Sequence, residues 1–344
     1  MHPRPKNYTM TAQKISTNAR SSVARRRSSR TANQGGIVEI VVGVTQGASS
    51  RDALALSVAL ANALDAEIVV ANVFPVAYNY VSPAHVDAEW QAFLIEQAEE
   101  SLAWAREELG DRDRVSYVMS AHRSSGVGLA EIATKRHAQL IVIGSAPGGS
   151  EGRIAGGSTS DQLLHGSPVP VAIAPHGYGD WAPPEILRAN VAYQQTRESD
   201  HCLEVTVEAL RRRGHDVASK LQLVTVVERV TRIYGSRLGR HAEDQVLFTL
   251  REQAEAALAG AVARVQSEIQ SESEIPTVIL EGDNVTNALA KQDWDDADIL
   301  VTGSTGAGPI RRVFLGDMAY KIIKASTIPV MVVPRSASID DLSS

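Results

Sequence analysis

The sequence predicts an α/β protein of two tandem doubly wound domains, each a five-stranded parallel sheet with helices on both faces. Three observations carry this. Short apolar strands alternate with helical segments along most of the chain, the pattern of a parallel sheet with crossover helices. The alternation runs through five strands, breaks at a connector rich in Gly and Pro, and runs through five more. The second run also repeats the spacing of the first, which marks a duplicated domain.

Residues 1–36 are rich in Ser, Thr, Asn and Arg and nearly devoid of hydrophobic side chains. Such a segment cannot bury enough apolar area to offset its ordering entropy, so a disordered basic tail is expected. Its Arg25-Arg26-Arg27-Ser28-Ser29-Arg30 stretch reads as solvated, with an anionic partner or a phosphorylated serine as the functional alternatives. The first domain is predicted over 37–175. Its opening strand, 37–44, is β-branched and nearly all apolar, as in a strand covered on both faces. Gly47 to Ser50 supplies a turn and a helix N-cap, and a helix follows over 52–64. A second buried strand over 68–74 ends at Pro75. The long helix over 87–109 carries Leu94, Ala98, Leu102 and Ala105 on one face. Strand 115–119, helix 128–136, strand 140–143, a glycine-rich loop, helix 158–164 and strand 169–174 complete the domain at Pro175.

A linker is expected over 176–187, centred on Gly179, Pro183 and Pro184. The second domain, 188–334, repeats the order. Strands fall at 190–193, 217–227, 277–280, 299–302 and 328–333, with helices at 200–212, 242–268, 285–291 and 318–325. Residues 335–344 form a polar, frayed tail. Gly144 to Gly157 and Gly303 to Gly316 are both 13 residues; Gly144 to Pro175 and Gly303 to Pro334 are both 31. Ser167 to Pro175 aligns with Ser326 to Pro334, and Glu96-Gln97-Ala98-Glu99 with Glu252-Gln253-Ala254-Glu255. Leu250, Ala254, Leu258 and Ala261 repeat the buried steps of the first long helix.

Bulk properties narrow the function. With aromatics at only 5%, small aliphatic side chains must fill the cores. No apolar run approaches the roughly 18 residues of a membrane-spanning helix, and the basic N-terminus lacks the apolar segment of a secretory signal. The single Cys202 excludes an intramolecular disulfide framework, so a cytoplasmic location is expected. The net charge of −6 conceals an asymmetry: residues 1–36 hold eight basic and no acidic residues, leaving 26 basic against 40 acidic in the rest, or −14. A body that acidic is a poor partner for nucleic acid. There is no P-loop motif and no nucleophile elbow. His122, His137 and His165 read as surface or loop residues, and Asp293, Asp295, Asp296 and Asp298 as a solvated turn. No catalytic constellation emerges, so the chain is not expected to be an enzyme.

The chemistry concentrates at the loop after each fourth strand. Gly303-Ser304-Thr305-Gly306, nine residues and then Gly316 form a strand-to-helix turn whose backbone amides can face an anion. An apolar strand, the pattern G-x-x-G-x9-G-[ST], a short helix and a P-V-x-V-x-P strand together resemble the universal stress protein family in its tandem form, over roughly 37–175 and 188–334. The resemblance implies an adenine nucleotide alpha-hydrolase-like fold and a stress-response regulator. It implies ATP or AMP binding in one branch, with Mg²⁺ if ATP, and self-association through the fifth strands. In the second domain it places a nucleotide at Thr302, Gly303, Ser304, Gly306, Gly316 and Asp317, with Arg311 and Arg312 adding charge and Gln194 and Val226 near the base. In the first it places one at Gly144, Ser145, Gly157, Ser158 and Thr159, with Thr45 and Val73 at the base and Arg153 matching Arg312.

Both copies depart from the family pattern. Asp317 stands where binding members carry Ser or Thr; a carboxylate repels phosphate unless Mg²⁺ intervenes, and Asp also suits a helix N-cap. Pro147 replaces the second glycine of the first loop, with Gly148 and Gly149 placed to restore the turn. Thr45 and Gln194 replace the family's Asp after the first strand, and Val73 and Val226 read more readily as core valines. The alternative function is therefore a degenerate scaffold that binds no nucleotide and works through an unidentified protein partner.

Overall fold

The computed structural model describes residues 38–76, 84–229, 240–304 and 317–337. The basic tail and the loop positions Gly306, Arg311, Arg312 and Gly316 lie outside the described residues. In the first copy the order is β1 (Glu39–Gly43), α1 (Ala48–Leu64), β2 (Glu67–Phe74), α2 (Ala84–Leu109), β3 (Val115–Ala121), α3 (Ser125–Arg136), β4 (Leu140–Gly144), α4 (Ser158–Gly166) and β5 (Val171–Ala174). The second copy has β6 (Arg188–Ala192), α5 (Arg197–Arg212), α6 (Val217–Lys220), β7 (Leu221–Glu228), α7 (Arg240–Ile269), β8 (Thr277–Gly282), α8 (Val285–Leu289), β9 (Asp298–Gly303), α9 (Asp317–Ala325) and β10 (Val330–Val333).

All ten strands join one sheet in the order β3-β2-β1-β4-β5-β10-β9-β6-β7-β8. Each half is parallel, with β1 paired to both β2 and β4, and β6 to both β7 and β9. The halves meet where β10 pairs antiparallel with β5, Val330 opposite Ile173 and Val332 opposite Val171. The fifth strands, expected to mediate self-association, are instead spent on each other inside the chain. The strands left at the sheet edges are β3 and β8. Ladder pairing at the junction also buries every residue of β5.

Strand alternation sends side chains to two cores. Ile40 and Val42 belong to the core that α1, α2, α5 and α7 cover, and Val41 to the one that α3, α4, α8 and α9 cover. Both cores run across the β5–β10 junction without a break. The predicted helix faces hold: Ala98, Leu102 and Ala105 are buried on α2, as are Ala254, Leu258 and Ala261 on α7. Among the described residues no helix is long and apolar enough to cross a membrane.

Three readings need correction, and the linker gains a structure. Residues 217–220 form a short helix capped by Asp216, so β7 starts at Leu221 rather than at Val217. The linker between the copies is packed. Tyr178 is fully buried, edge-on to Trp181 at 4.5 Å, in a 3-10 turn from Tyr178 to Asp180. Asp52, buried in α1, holds this turn by accepting from the Gly177 N–H (3.0 Å) and the Gly179 N–H (2.8 Å). In the C-terminal tail, Ala337 is buried and its N–H bonds to the Pro334 carbonyl. Finally, Asp298 is not part of a solvated turn. Its carboxylate is 1% exposed and takes a bidentate pair from Arg188 Nε (2.7 Å) and Nη2 (2.8 Å), with the Asp295 N–H as a third donor.

The Arg188–Asp298 pair joins the start of β6 to the start of β9. Arg188→Met leaves a buried carboxylate without its cation and is expected to lower stability by about 3 kcal/mol. Adding Asp298→Leu should restore most of that loss; urea midpoints of the single and double variants check it. Cys202 is fully buried on α5, and burial pushes its thiol from 9.0 up to about 12. The unfolded thiol ionises first, so the native state holds the extra proton and stability falls as pH rises from about 9 toward 12. Urea titrations across that window should show a shallower decline for Cys202→Ala, whatever its absolute stability.

Candidate functional site

In an open parallel sheet, ligands bind beyond the strand C-termini where the winding reverses. In the first copy this point lies between β1 and β4, and a cleft of about 520 Å³ opens there. All seven residues predicted for the first-copy site line it: Thr45, Val73, Gly144, Ser145, Gly157, Ser158 and Thr159.

The floor is set by close packing of α1 on β4. A Cβ on Gly144 would lie 1.9 Å from the Ser49 carbonyl oxygen, so glycine is required for the helix to approach. Gly303 stands in the same relation to Glu198 at the start of α5, at 2.6 Å. These glycines thus serve helix–strand packing first. Ser49 Oγ donates to the Ser145 carbonyl (2.6 Å), and Ser145 Oγ accepts from the Ala155 N–H (2.8 Å), which folds the loop back over the cleft. Pro147 and Gly148 form a turn with Gly148 at φ +84°, so Gly148 supplies the conformation that Pro147 cannot.

Two helix N-termini face the cleft. α4 begins after Gly157, whose N–H donates to Ser160 Oγ (2.8 Å); the Ser158 and Thr159 amides have no intrahelical acceptor, as at any helix start. α1 begins after Gly47, without a side-chain cap. Both contribute positive partial charge. Among the described residues no Asp, Glu, Lys or Arg lines the cleft, and His176 is the one titratable side chain that does. Arg153, expected to add charge here, turns away and donates through Nη1 to the Ala325 carbonyl at the end of α9. At the other end Thr45 is exposed, its N–H donating to Ser50 Oγ (2.9 Å), and Val73 is half-buried against the second core. Ser49 and His176 were not legible as site residues: each needs a contact between segments distant in sequence.

In the second copy, Thr302 and Ser304 are buried, and the Ser304 N–H bonds to the Val333 carbonyl as Ser145 does to Ala174. Ser304 Oγ accepts from the Arg335 N–H (3.3 Å). Gln194 is exposed and Val226 half-buried. Asp317 is not an N-cap. It is the first residue of α9 and pairs with Lys321 Nζ one turn on (2.8 Å), placing its carboxylate where Ser158 has a hydroxyl in the first copy. Tyr193, at the end of β6, is buried; its hydroxyl donates to Asp200 (2.8 Å) and accepts from Arg264 (2.7 Å). Burial alone would raise the Asp200 carboxyl, but the Arg264 and Tyr193 hydrogen bonds outweigh it and hold it below its ordinary value.

Comparison with known proteins agrees with this architecture. The sequence model of the universal stress protein family matches residues 38–175 and 188–334. A universal stress protein of Mycobacterium tuberculosis is 34% identical over 302 residues, 86% of this chain and 99% of its own. One of Mycolicibacterium smegmatis is 26% identical over 306 residues, 86% of this chain and 97% of its own. A solved universal stress protein of Archaeoglobus fulgidus superimposes with a TM-score of 0.60 at 21% identity, over 86% of this chain and 98% of that one. The matched segments coincide with the two halves of the sheet, and the chain belongs to the universal stress protein family, with two copies of the family's domain in tandem.

Proposed function

We propose that this protein is a non-catalytic regulator of the stress-response type that binds an adenine nucleotide, ATP or AMP, in the cleft of its first copy. The observation that carries this is the convergence of two helix N-termini and the 144–157 loop on one cleft that no carboxylate lines. The cleft volume lies within the range of small-molecule sites. Phosphates would take the Ser158 and Thr159 amides and hydroxyls, with the base toward Thr45 and Val73. A Mg²⁺ accompanying ATP would find hydroxyl and backbone oxygens here, so the phosphates would supply most of its coordination. With no carboxylate, lysine or cysteine on the cleft wall among the described residues, His176 is the one base they offer, which favours binding over turnover.

The second reading is a scaffold that binds no nucleotide. It is favoured by Thr45, which replaces the expected carboxylate and already engages Ser50 through its N–H and, at 3.4 Å, its hydroxyl. Calorimetric titration of ATP–Mg²⁺ and AMP separates the two. Binding with one nucleotide per chain is expected. Ser158→Asp, which copies the carboxylate of the second domain, should weaken it by about tenfold or more at unchanged melting temperature. Asp317→Asn should leave that site's affinity unchanged. No saturable heat from either nucleotide at millimolar concentration would leave the scaffold.

A further inference from the structure

On the face of the sheet that carries α1 and α5, a second cavity of about 120 Å³ opens between these two helices, over the β5–β10 junction. It shares no residue with the nucleotide cleft. Its origin is geometric. α1 covers its own half of the sheet and α5 covers the other, leaving a gap above the central strands that the packed connector fills only in part. Leu60 and Leu64 of α1, Val205 and Leu210 of α5, Ile299 and Met331 give it an apolar wall.

Its polar lining is one-sided. Arg188, Arg212, Arg213 and Lys220 line it, with Gln139, Thr206 and His215, and among the described residues no Asp or Glu does, in a chain of net charge −6. Three of these cations are committed elsewhere: Arg188 to Asp298, Lys220 to Glu185, and Arg212 Nε to Glu208. Two donors are left over. Arg212 Nη1 is buried without an acceptor among the described residues. Arg213 is half-buried, and no carboxylate among the described residues lies within ion-pair distance of it. Burial pushes its guanidinium pKa down; the nearby Asp65 opposes this, but that carboxylate is held by Arg114 at 2.5 Å. Arg212 Nη1 is shut off from the cavity, whereas Arg213 is partly accessible; an unpaired half-buried cation is costly, and an anion set against Arg213 would relieve that cost.

We propose that this inter-domain cavity is a second ligand site that takes a small amphipathic carboxylate, with an apolar body of about six carbons in the cavity and its anionic head on Arg213. The volume sets the size, since a cavity only slightly larger accepts a benzene ring. The cationic, carboxylate-free lining sets the sign of the head group. Walls drawn from both copies place the ligand across the junction, so its binding would stiffen one copy against the other.

The test uses the full chain with hexanoate as probe and hexanol as its neutral counterpart, read by calorimetry or ligand-detected NMR. Saturable hexanoate binding is expected, about tenfold tighter than hexanol, the worth of one charge-assisted hydrogen bond. Arg213→Gln should remove that advantage while leaving the melting temperature in place, and Ala209→Phe, which fills the cavity, should abolish binding of both probes. Ser158→Asp should leave hexanoate binding unchanged, which separates this site from the nucleotide cleft. No saturable hexanoate binding at millimolar concentration, equal affinity for the two probes, or an Arg213→Gln variant that still prefers hexanoate would each overturn the proposal.

Discussion

The antiparallel pairing of β5 with β10 is the contact on which the rest of the molecule depends. Each copy alone ends its sheet in a four-residue apolar strand with an unpaired row of backbone groups, a template for uncontrolled association. Pairing the two strands satisfies both rows at once. It buries Val171, Ile173, Val330 and Val332 within cores that run from one copy into the other. A second link crosses the junction where Arg153, in the loop over the first cleft, caps the last carbonyl of α9. The arginine that looked like a phosphate ligand is thus a tie between the copies.

Because the junction is antiparallel, the strands of the two halves run in opposite directions and their C-terminal ends lie at opposite edges of the sheet. The two glycine loops therefore do not face each other across a shared pocket. Each copy can diverge without disturbing the other. The first keeps hydroxyls at the start of α4, with Gly148 rescuing the turn that Pro147 would spoil. The second has a carboxylate at the equivalent place, neutralised by Lys321 rather than by a ligand. The second copy also carries a Tyr193–Asp200–Arg264 cluster at the end of β6, in which Tyr193 is buried.

The fold was legible because its signals are local or periodic. Apolar strands and the buried face of α2 and α7 survive in the structure, and the repeated proline spacing ends both fifth strands. The residues that line the first-copy cleft were legible because the topology brings the loops after β1 and β4 to one edge. Missed features depend on contacts between distant segments. An aspartate in the first turns of α1 gives no hint that it will hold the connector through Gly177 and Gly179. Asp298, read within a run of acids, could be recognised as buried only once β6 lay beside β9 and brought Arg188 to it. Gly144 and Gly303 looked like phosphate-loop glycines, whereas their first constraint is the backbone at the start of α1 and of α5 packed against them.

Native-state hydrogen exchange at the junction tests the architecture most directly. If the two copies form one continuous sheet, the hydrogen-bonded amides of Val171–Ala174 and Val330–Val333 should exchange as slowly as those of β1 and β4, through global unfolding. Exchange of these strands as fast as the solvent-facing edges of β3 and β8 would contradict it, because the junction would then open without unfolding either half.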